Sequence, residues 1–295
     1  MNTRASDTTL AASNRKGAAL LPWLNGPDVR ALYHHSPVDT PPDVEAFVGL
    51  WRMAQQQKFP PSGLAQVSFP PSGLADRIAR LQETEVFKTQ YEPFGGKVVS
   101  FDLRELITPQ WWVDLDYVQE LSASLNMYKG DKGLYDFCFP TSCLERPFVA
   151  GNGVVLSSGR RDLGRVTPLR LEHFSPEKAT ISFDVFPRPN FVFVARLQET
   201  QKILILNGVH HLLALLSSGS DRAIGVLRDA SVAETFNFAQ DPSIFKPNRL
   251  MSPRPPLLRD YLDHAVVTKV DFRPMNQFMR FGLSNPELSY VPRLL

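Results

Sequence analysis

The residues with the clearest capacity for chemistry are the polar ones of the segment KILILNGVHHLLALLSSG, residues 202–219 of this 295-residue chain. A histidine can donate a hydrogen bond to a phosphate or transfer a proton near neutral pH, so His210 and His211 are the candidate catalytic residues. Gly208 permits a ligand to approach the backbone closely. The candidate phosphate- or nucleotide-binding residues are accordingly Asn207, Gly208, Val209, His210 and His211.

The elements that position these residues follow from the apolar pattern on either side of Asn207-Gly208. The run from Ile203 to Leu206 is typical of a buried strand. The next apolar residues recur with the spacing of one helix face, and Gly219 suits a helix end; they are Val209, Leu212, Leu213 and Leu216. We expect an anion site at the turn, because the first N–H groups of a helix and its dipole favour negative charge. Strand-turn-helix units with a glycine also occur in α/β proteins without binding any ligand, which is the alternative here.

Residues outside this segment would have to complete a nucleotide site. Arg196 and Arg228 are the candidate cations, since each ends a run that predicts a strand. A bound nucleotide would be expected to bring Mg²⁺, which in phosphoryl transfer neutralises charge on the phosphates. The carboxylates nearest in sequence to predicted strand ends, and thus the candidate metal ligands, are Asp102, Glu199 and Asp229.

A second candidate anion site is the polar, basic stretch SSGRR at residues 157–161. Gly159, Arg160 and Arg161 could hold an anion in a compact turn. The alternative is an exposed hairpin tip with two solvated arginines.

Composition limits the function classes. Lys and Arg total 32, Asp and Glu total 30, and the net charge is +2, so bulk charge does not favour nucleic acid. The longest apolar runs have strand length and are too short to span a bilayer. We therefore expect a cytoplasmic protein without a membrane partner, in which the two cysteines, Cys138 and Cys143, are ordinary thiols.

The order of the patterns predicts an α+β protein with a small mixed sheet and packed helices. Four regions are expected: a disordered leader at 1–16, a helical N-terminal segment at 17–95, a core at 96–240 and a C-terminal extension packed on the core at 241–295. A β-rich insertion is expected within the core at 126–190. Within the N-terminal segment the heptapeptide FPPSGLA occurs twice, at 59–65 and 69–75. Two copies are too few for a solenoid, so we expect a duplicated surface loop or, alternatively, a proline-recognition ligand.

Three blocks of the chain, taken in order, resemble the ParB/sulfiredoxin superfamily. The first, VVSFDLRELITPQWWVDLDYVQELSASL, is similar to that family's opening strand, loop and first helix. The second, FVFVARLQETQKILILNGVHHLLALLSSG, is similar to its hairpin, glycine box and following helix. The third, AIGVLRDASVAETFNFA, is similar to the closing strand, Arg-Asp-x-Ser turn and helix.

In that family the glycine box opens a helix against a nucleotide phosphate, so the resemblance implies a nucleotide at the turn from Asn207 to His211. This chain departs from the box. ParB proteins have Gly-Glu-Arg-Arg where this chain has Gly208-Val209-His210-His211, and sulfiredoxin has a cysteine where this chain has Val209. Imidazole does not make the bidentate contact of a guanidinium.

Three functions follow as hypotheses. The first is a nucleotide- or phosphate-binding protein that performs phosphotransfer or nucleotide hydrolysis at the Asn207–His211 turn. The second is a non-catalytic binding or regulatory relative with a degenerate site and a protein partner, or a homodimer. The third is a DNA-associated ParB-like protein. The sequence leaves open whether the chain is an enzyme.

Overall fold

The computed structural model describes residues 15–27, 29, 44–140, 148–150, 153–158, 163–166, 170–174, 179–182, 185–187, 191–236, 244–272 and 277–282. Helices and strands both occur, in agreement with the predicted α+β class. The first elements along the chain are β1 (Arg15–Leu20), α1 (Val44–Gln55), β2 (Val67–Ser68), α2 (Ala75–Glu83), α3 (Glu85–Gln90), β3 (Lys97–Asp102), β4 (Trp112–Asp114), α4 (Leu115–Ser124) and α5 (Gly130–Cys138). Short strands follow: β5 (Phe148–Ala150), β6 (Gly153–Ser158), β7 (Leu163–Val166), β8 (Arg170–Phe174), β9 (Ala179–Ser182) and β10 (Val185–Pro187). The last elements are β11 (Phe193–Leu197), β12 (Ile203–Asn207), α6 (Val209–Ser217), β13 (Arg222–Ala230), α7 (Val232–Phe236), α8 (Pro247–Leu250), β14 (Val267–Phe272) and β15 (Gln277–Gly282).

A central sheet with the strand order β12-β11-β13-β3-β2 carries the predicted site residues. Strands β11 and β12 form an antiparallel hairpin, and β11 runs parallel to β13. Strand β13 pairs antiparallel with β3, and β3 pairs with β2 at the edge of the sheet. The predicted strand, turn and helix around Asn207-Gly208 are therefore present as β12, an edge strand of this sheet, and α6, which follows it.

A second sheet, with the order β14-β1-β4, includes a strand that overlaps the predicted disordered leader at 1–16 and the start of the predicted helical segment at 17–95. Strand β1 begins at Arg15, inside the predicted leader, and pairs antiparallel with both β14 and β4. Residues Ala18 to Leu20 of β1 are buried. The strand was missed because RKGAAL lacks the β-branched and aromatic residues that mark strands. Residues 1–14 of the predicted leader lie outside the described residues.

The chain divides into two compact units. The first comprises Met1–Pro140 and Phe191–Pro274, and the second comprises Thr141–Asn190 and Met275–Leu295. The predicted insertion at 126–190 thus begins later in the structure, because α5 buries Tyr135, Phe137 and Cys138 in the first unit. The predicted C-terminal extension is shared, since β15 pairs with β6 of the second unit.

Helix α6 is buried over more of its circumference than one face. Val209, Leu212 and Leu213 of the predicted stripe are buried, and so are His211, Ala214 and Leu215. Ser122 of α4 donates to the carbonyl of Ala214 at 3.5 Å, so α4 lies along α6. No helix of the described chain is both long enough and apolar enough to cross a membrane.

Candidate functional site

The turn between β12 and α6 depends on Gly208 and on its neighbour Val192. Gly208 has φ 93°, in the left-handed region that glycine adopts without strain, and it is the residue at the start of α6. A Cβ at this position would lie 3.1 Å from Val192 Cγ2 and 3.2 Å from Val192 Cα. Asn207 Nδ2 donates to the carbonyl of Phe191 at 2.9 Å. The turn is thereby fixed against the chain that enters β11.

His210 connects the start of α6 to the start of α4. Its Nε2 accepts a hydrogen bond of 3.1 Å from the backbone N–H of Asp114. Asp114 is itself the N-cap of α4, where its Oδ1 accepts from the N–H of Tyr117 at 2.9 Å. The Tyr117 ring lies 5.5 Å from the His210 ring. A nitrogen that accepts a backbone hydrogen bond is not available at the same time as a general base or as a donor to phosphate.

His211 lies in the core. It is 5% exposed, and its ring centroid is 5.2 Å from that of Phe137 in an edge-to-face arrangement. The Tyr117 ring, which is also beside His210, lies 6.4 Å away. Adjacent residues of a helix point about 100° apart, so the two imidazoles do not face the same way although both have Tyr117 as a neighbour.

The structure does not bring Arg196 to the turn. In the β11–β12 hairpin, Arg196 stands opposite Ile203 whereas Asn207 stands opposite Phe193. Four residues of strand β12 separate the two positions, which is about 13 Å at the usual rise per residue. The Nε of Arg196 lies 3.6 Å from Asp229 Oδ1 instead.

Arg228 lies on the other face of the sheet from Arg196. Arg228 is registered with Ala195, and Arg196 with the following residue, Asp229. Because successive side chains of a strand point to opposite faces, the two arginines cannot line one pocket on a single face. The Arg228 guanidinium carbon is 5.4 Å from the Phe94 ring centroid and 5.6 Å from that of Phe193.

The three candidate metal ligands likewise lie far apart or already accept hydrogen bonds from backbone N–H groups. Asp102 stands opposite Arg222 at the start of β13, seven residues and about 23 Å along the strand from Asp229. Asp102 Oδ1 accepts from the N–H of Arg104 at 2.7 Å. Glu199 Oε1 accepts from the N–H of Val232, the first residue of α7, at 2.9 Å. Over the residues that the structure describes, no group of three or more His, Cys, Asp or Glu is arranged to hold a metal ion.

Gly159, Arg160 and Arg161, the second candidate anion site, lie outside the described residues, as does Cys143. Cys138 is described, and burial raises the pKa of its thiol to about 12. Burial also raises the pKa of Asp114, and the Tyr117 N–H and the Arg15 guanidinium offset part of this effect.

Phe94 and Phe193 are the neighbours of Arg228 that sequence reasoning did not single out. Phe193 is in a predicted strand and shares a sheet face with Arg228, so alternation along β11 and β13 was the available signal once the register was known. Phe94 lies in a short turn far from both in the sequence. No local pattern links it to Arg228.

Comparisons of this chain with models of known protein families, with curated proteins and with solved structures found no match.

Proposed function

We propose that this chain is a non-catalytic binding protein with a ParB/sulfiredoxin-like core, in which the Asn207–His211 turn is a structural joint. The observation that carries the proposal is the hydrogen bond from the Asp114 N–H to His210 Nε2, at 3.1 Å. It places the side chain of one of the two candidate catalytic histidines in a contact between the start of α6 and the start of α4. The burial of His211 against Phe137 supports the same conclusion.

The ParB-like part of the proposal is supported by the order of elements in the central sheet. The three blocks that resemble the family form, in turn, β3 with α4, the β11–β12 hairpin with α6, and β13 with α7. Strands β3, β11, β12 and β13 of these blocks belong to one sheet, while the short strand β4 of the first block belongs to the second sheet. The sequence Arg228-Asp229-Ala230-Ser231 runs from the last three residues of β13 to Ser231, whose Oγ accepts from the N–H of Glu234 at 3.2 Å as an N-cap.

The proposal is tested by thermal unfolding of the wild type and of His210→Ala, each with and without nucleoside triphosphates and Mg²⁺. We expect His210→Ala to lower the melting temperature, because the Asp114 N–H loses its acceptor at a cost of about 1–2 kcal/mol. For a unit of this size that corresponds to a decrease of about 2–8 °C. We expect no nucleotide to stabilise the wild type more than it stabilises His210→Ala.

The matched control is His264→Ala, which removes an exposed histidine and should leave the melting temperature within about 1 °C. If a triphosphate with Mg²⁺ stabilises the wild type and not His210→Ala, the turn binds nucleotide and the proposal is wrong. The phosphotransfer hypothesis would then be the one to pursue by a turnover assay.

A further inference from the structure

The side chain of Arg228 is partly buried, has aromatic rings for neighbours and makes no direct ion pair with a described residue. Its Nε is buried without a hydrogen-bond partner. Within the described part of the chain, no side-chain hydrogen bond of Arg228 is formed. An unpartnered buried polar group costs free energy, and such groups in a folded protein frequently indicate an absent ion or ligand.

Nearby acidic side chains are engaged elsewhere. The N–H and the hydroxyl of Ser231 donate to Glu234 Oε2 at 2.8 and 2.9 Å and lower the pKa of Glu234, and the Arg228 charge adds a smaller effect in the same direction. Asp229 is the next residue along β13 but points to the opposite face, toward Arg196. Neither carboxylate forms a direct ion pair with Arg228.

The two rings beside the guanidinium are held differently. Phe193 is braced by Tyr91, whose ring is 5.0 Å away in an edge-to-face arrangement. Phe94 is 56% exposed. The guanidinium therefore has one fixed apolar wall and one wall with an open face.

The backbone around Phe94 fixes the position of this exposed ring. Glu92–Phe94 forms a single 3₁₀ turn with a proline as its second residue, and the turn is followed by Gly95, with φ 69°. The N–H of Gly96 donates to the carbonyl of Tyr91 at 2.9 Å, and a Cβ on Gly96 would lie 2.8 Å from that oxygen. The loop is thus closed tightly directly before β3, which presents Phe94 beside the end of β13.

We propose that Arg228, Phe94 and Phe193 form a binding site for an oxyanion carried on a planar ring, such as an aromatic carboxylate or an aryl phosphate. The guanidinium would take the oxyanion through charge-assisted hydrogen bonds, which are strong where apolar walls exclude water. The ring of the ligand would stack on the open face of Phe94. The site is distinct from the Asn207–His211 turn, and the proposal rests on the proposed function only in treating the chain as a binding protein.

The experiment is an NMR titration of the arginine Nε–Hε signals of the full chain with benzoate, phenyl phosphate, cytidine monophosphate and inorganic phosphate. The Arg228 signal is the one lost in Arg228→Lys, and that of Arg196 is the one lost in Arg196→Lys. We expect the Arg228 signal to move saturably with benzoate or phenyl phosphate, with a Kd on the order of 0.1–1 mM, and the Arg196 signal to stay in place. Which of benzoate, phenyl phosphate and cytidine monophosphate binds best distinguishes a carboxylate, a phosphate and a nucleotide as the ligand.

Variants separate the two halves of the site. Phe94→Ala should weaken binding about tenfold by removing the stacking face, whereas Phe69→Ala, which removes another exposed phenylalanine, should leave it unchanged. Arg228→Lys should also weaken binding about tenfold, because an ammonium cannot reproduce the fork of a guanidinium. Arg196→Lys is its control on the adjacent strand.

Two results would overturn the proposal. One is an Arg228 signal that does not move with any of the four probes up to about 10 mM. The other is binding of inorganic phosphate as tight as that of phenyl phosphate, which would exclude a ring-bearing ligand. Neither result bears on the His210 test, and nucleotide stabilisation lost in His210→Ala would refute the proposed function without moving the Arg228 signal.

Discussion

Gly208 and Gly219 bracket helix α6 with nearly the same backbone conformation, φ 93° and φ 87°. They differ in their surroundings: a Cβ on Gly208 would lie 3.2 Å from the Cα of Val192, and a Cβ on Gly219 would meet no atom within 4 Å. Gly219→Ala should therefore cost only the left-handed strain, about 1 kcal/mol. Gly208→Ala should cost about 2–4 kcal/mol, since the backbone at Val192 or the turn must also shift. The free energies of unfolding in urea measure both, and equal losses would contradict a close approach at Gly208.

At the residue scale the local sequence predicts the turn and the ends of α6, but it does not predict what surrounds them. The Asn207-Gly208 break, the start of α6 and the left-handed Gly219 follow from local pattern, because turn and cap preferences are properties of a few adjacent residues. The partners of His210 and His211 do not. They come from α4 and α5, which precede α6 in the chain by many residues, and no local signal identifies them.

At the element scale, the two copies of FPPSGLA show how identical sequences are buried differently in different surroundings. In the first copy, Phe59 stacks on Trp23 at 4.9 Å and lies under the Arg254 guanidinium at 5.2 Å, while Leu64 is 58% exposed. The second copy is reversed: its Phe69 is 95% exposed, and its Leu74 is fully buried in a short 3₁₀ turn before α2.

Identical substitutions should therefore have opposite effects in the two copies. Phe59→Ala should cost about 2–3 kcal/mol and Phe69→Ala less than about 0.5 kcal/mol. Leu74→Ala should cost about 2–5 kcal/mol and Leu64→Ala less than about 0.5 kcal/mol. Each variant is the control of its counterpart, and urea unfolding of the four proteins is the measurement. Similar losses of unfolding free energy in both copies would contradict this difference in burial.

The two FPPSGLA copies also show which features of an element can be predicted from its own sequence. The sequence predicts that both copies lie in a surface loop, because Pro-Pro and Ser-Gly interrupt regular structure. It cannot predict which copy buries its phenylalanine, since the local sequences are identical and the choice is made by Trp23, Arg254 and α5. Helices α1, α2 and α4 were predictable because their own apolar spacing specifies them. Strand β1 was not, because its burial depends on β4 and β14.

At the scale of the molecule, the first unit buries several weak acids whose neutral form the fold requires. Burial raises the pKa of Cys138 and of Tyr91 to about 12. Burial also raises the pKa of Tyr135 and the pKa of Tyr261. Each of these groups ionises in the unfolded chain before it does so in the folded one. The stability that they contribute is present below the unfolded-state pKa and is lost as the pH rises toward the folded-state pKa.

We therefore predict that the free energy of unfolding falls steeply between about pH 9 and pH 12, by up to about 1.4 kcal/mol per pH unit for each such group. Tyr91→Phe tests the attribution, because phenylalanine retains the ring that contacts Phe193 and has no hydroxyl to ionise. Urea unfolding at intervals from pH 8 to pH 11 should give parallel curves for the two proteins below about pH 9. Near pH 11 the wild type should have lost about 1 kcal/mol more than Tyr91→Phe, since the unfolded wild-type hydroxyl is then ionised and the folded one is still protonated. Curves that stay parallel to pH 11 would mean that the Tyr91 hydroxyl ionises as readily in the folded chain as in the unfolded one. Water would then reach the Tyr91 hydroxyl in the folded protein.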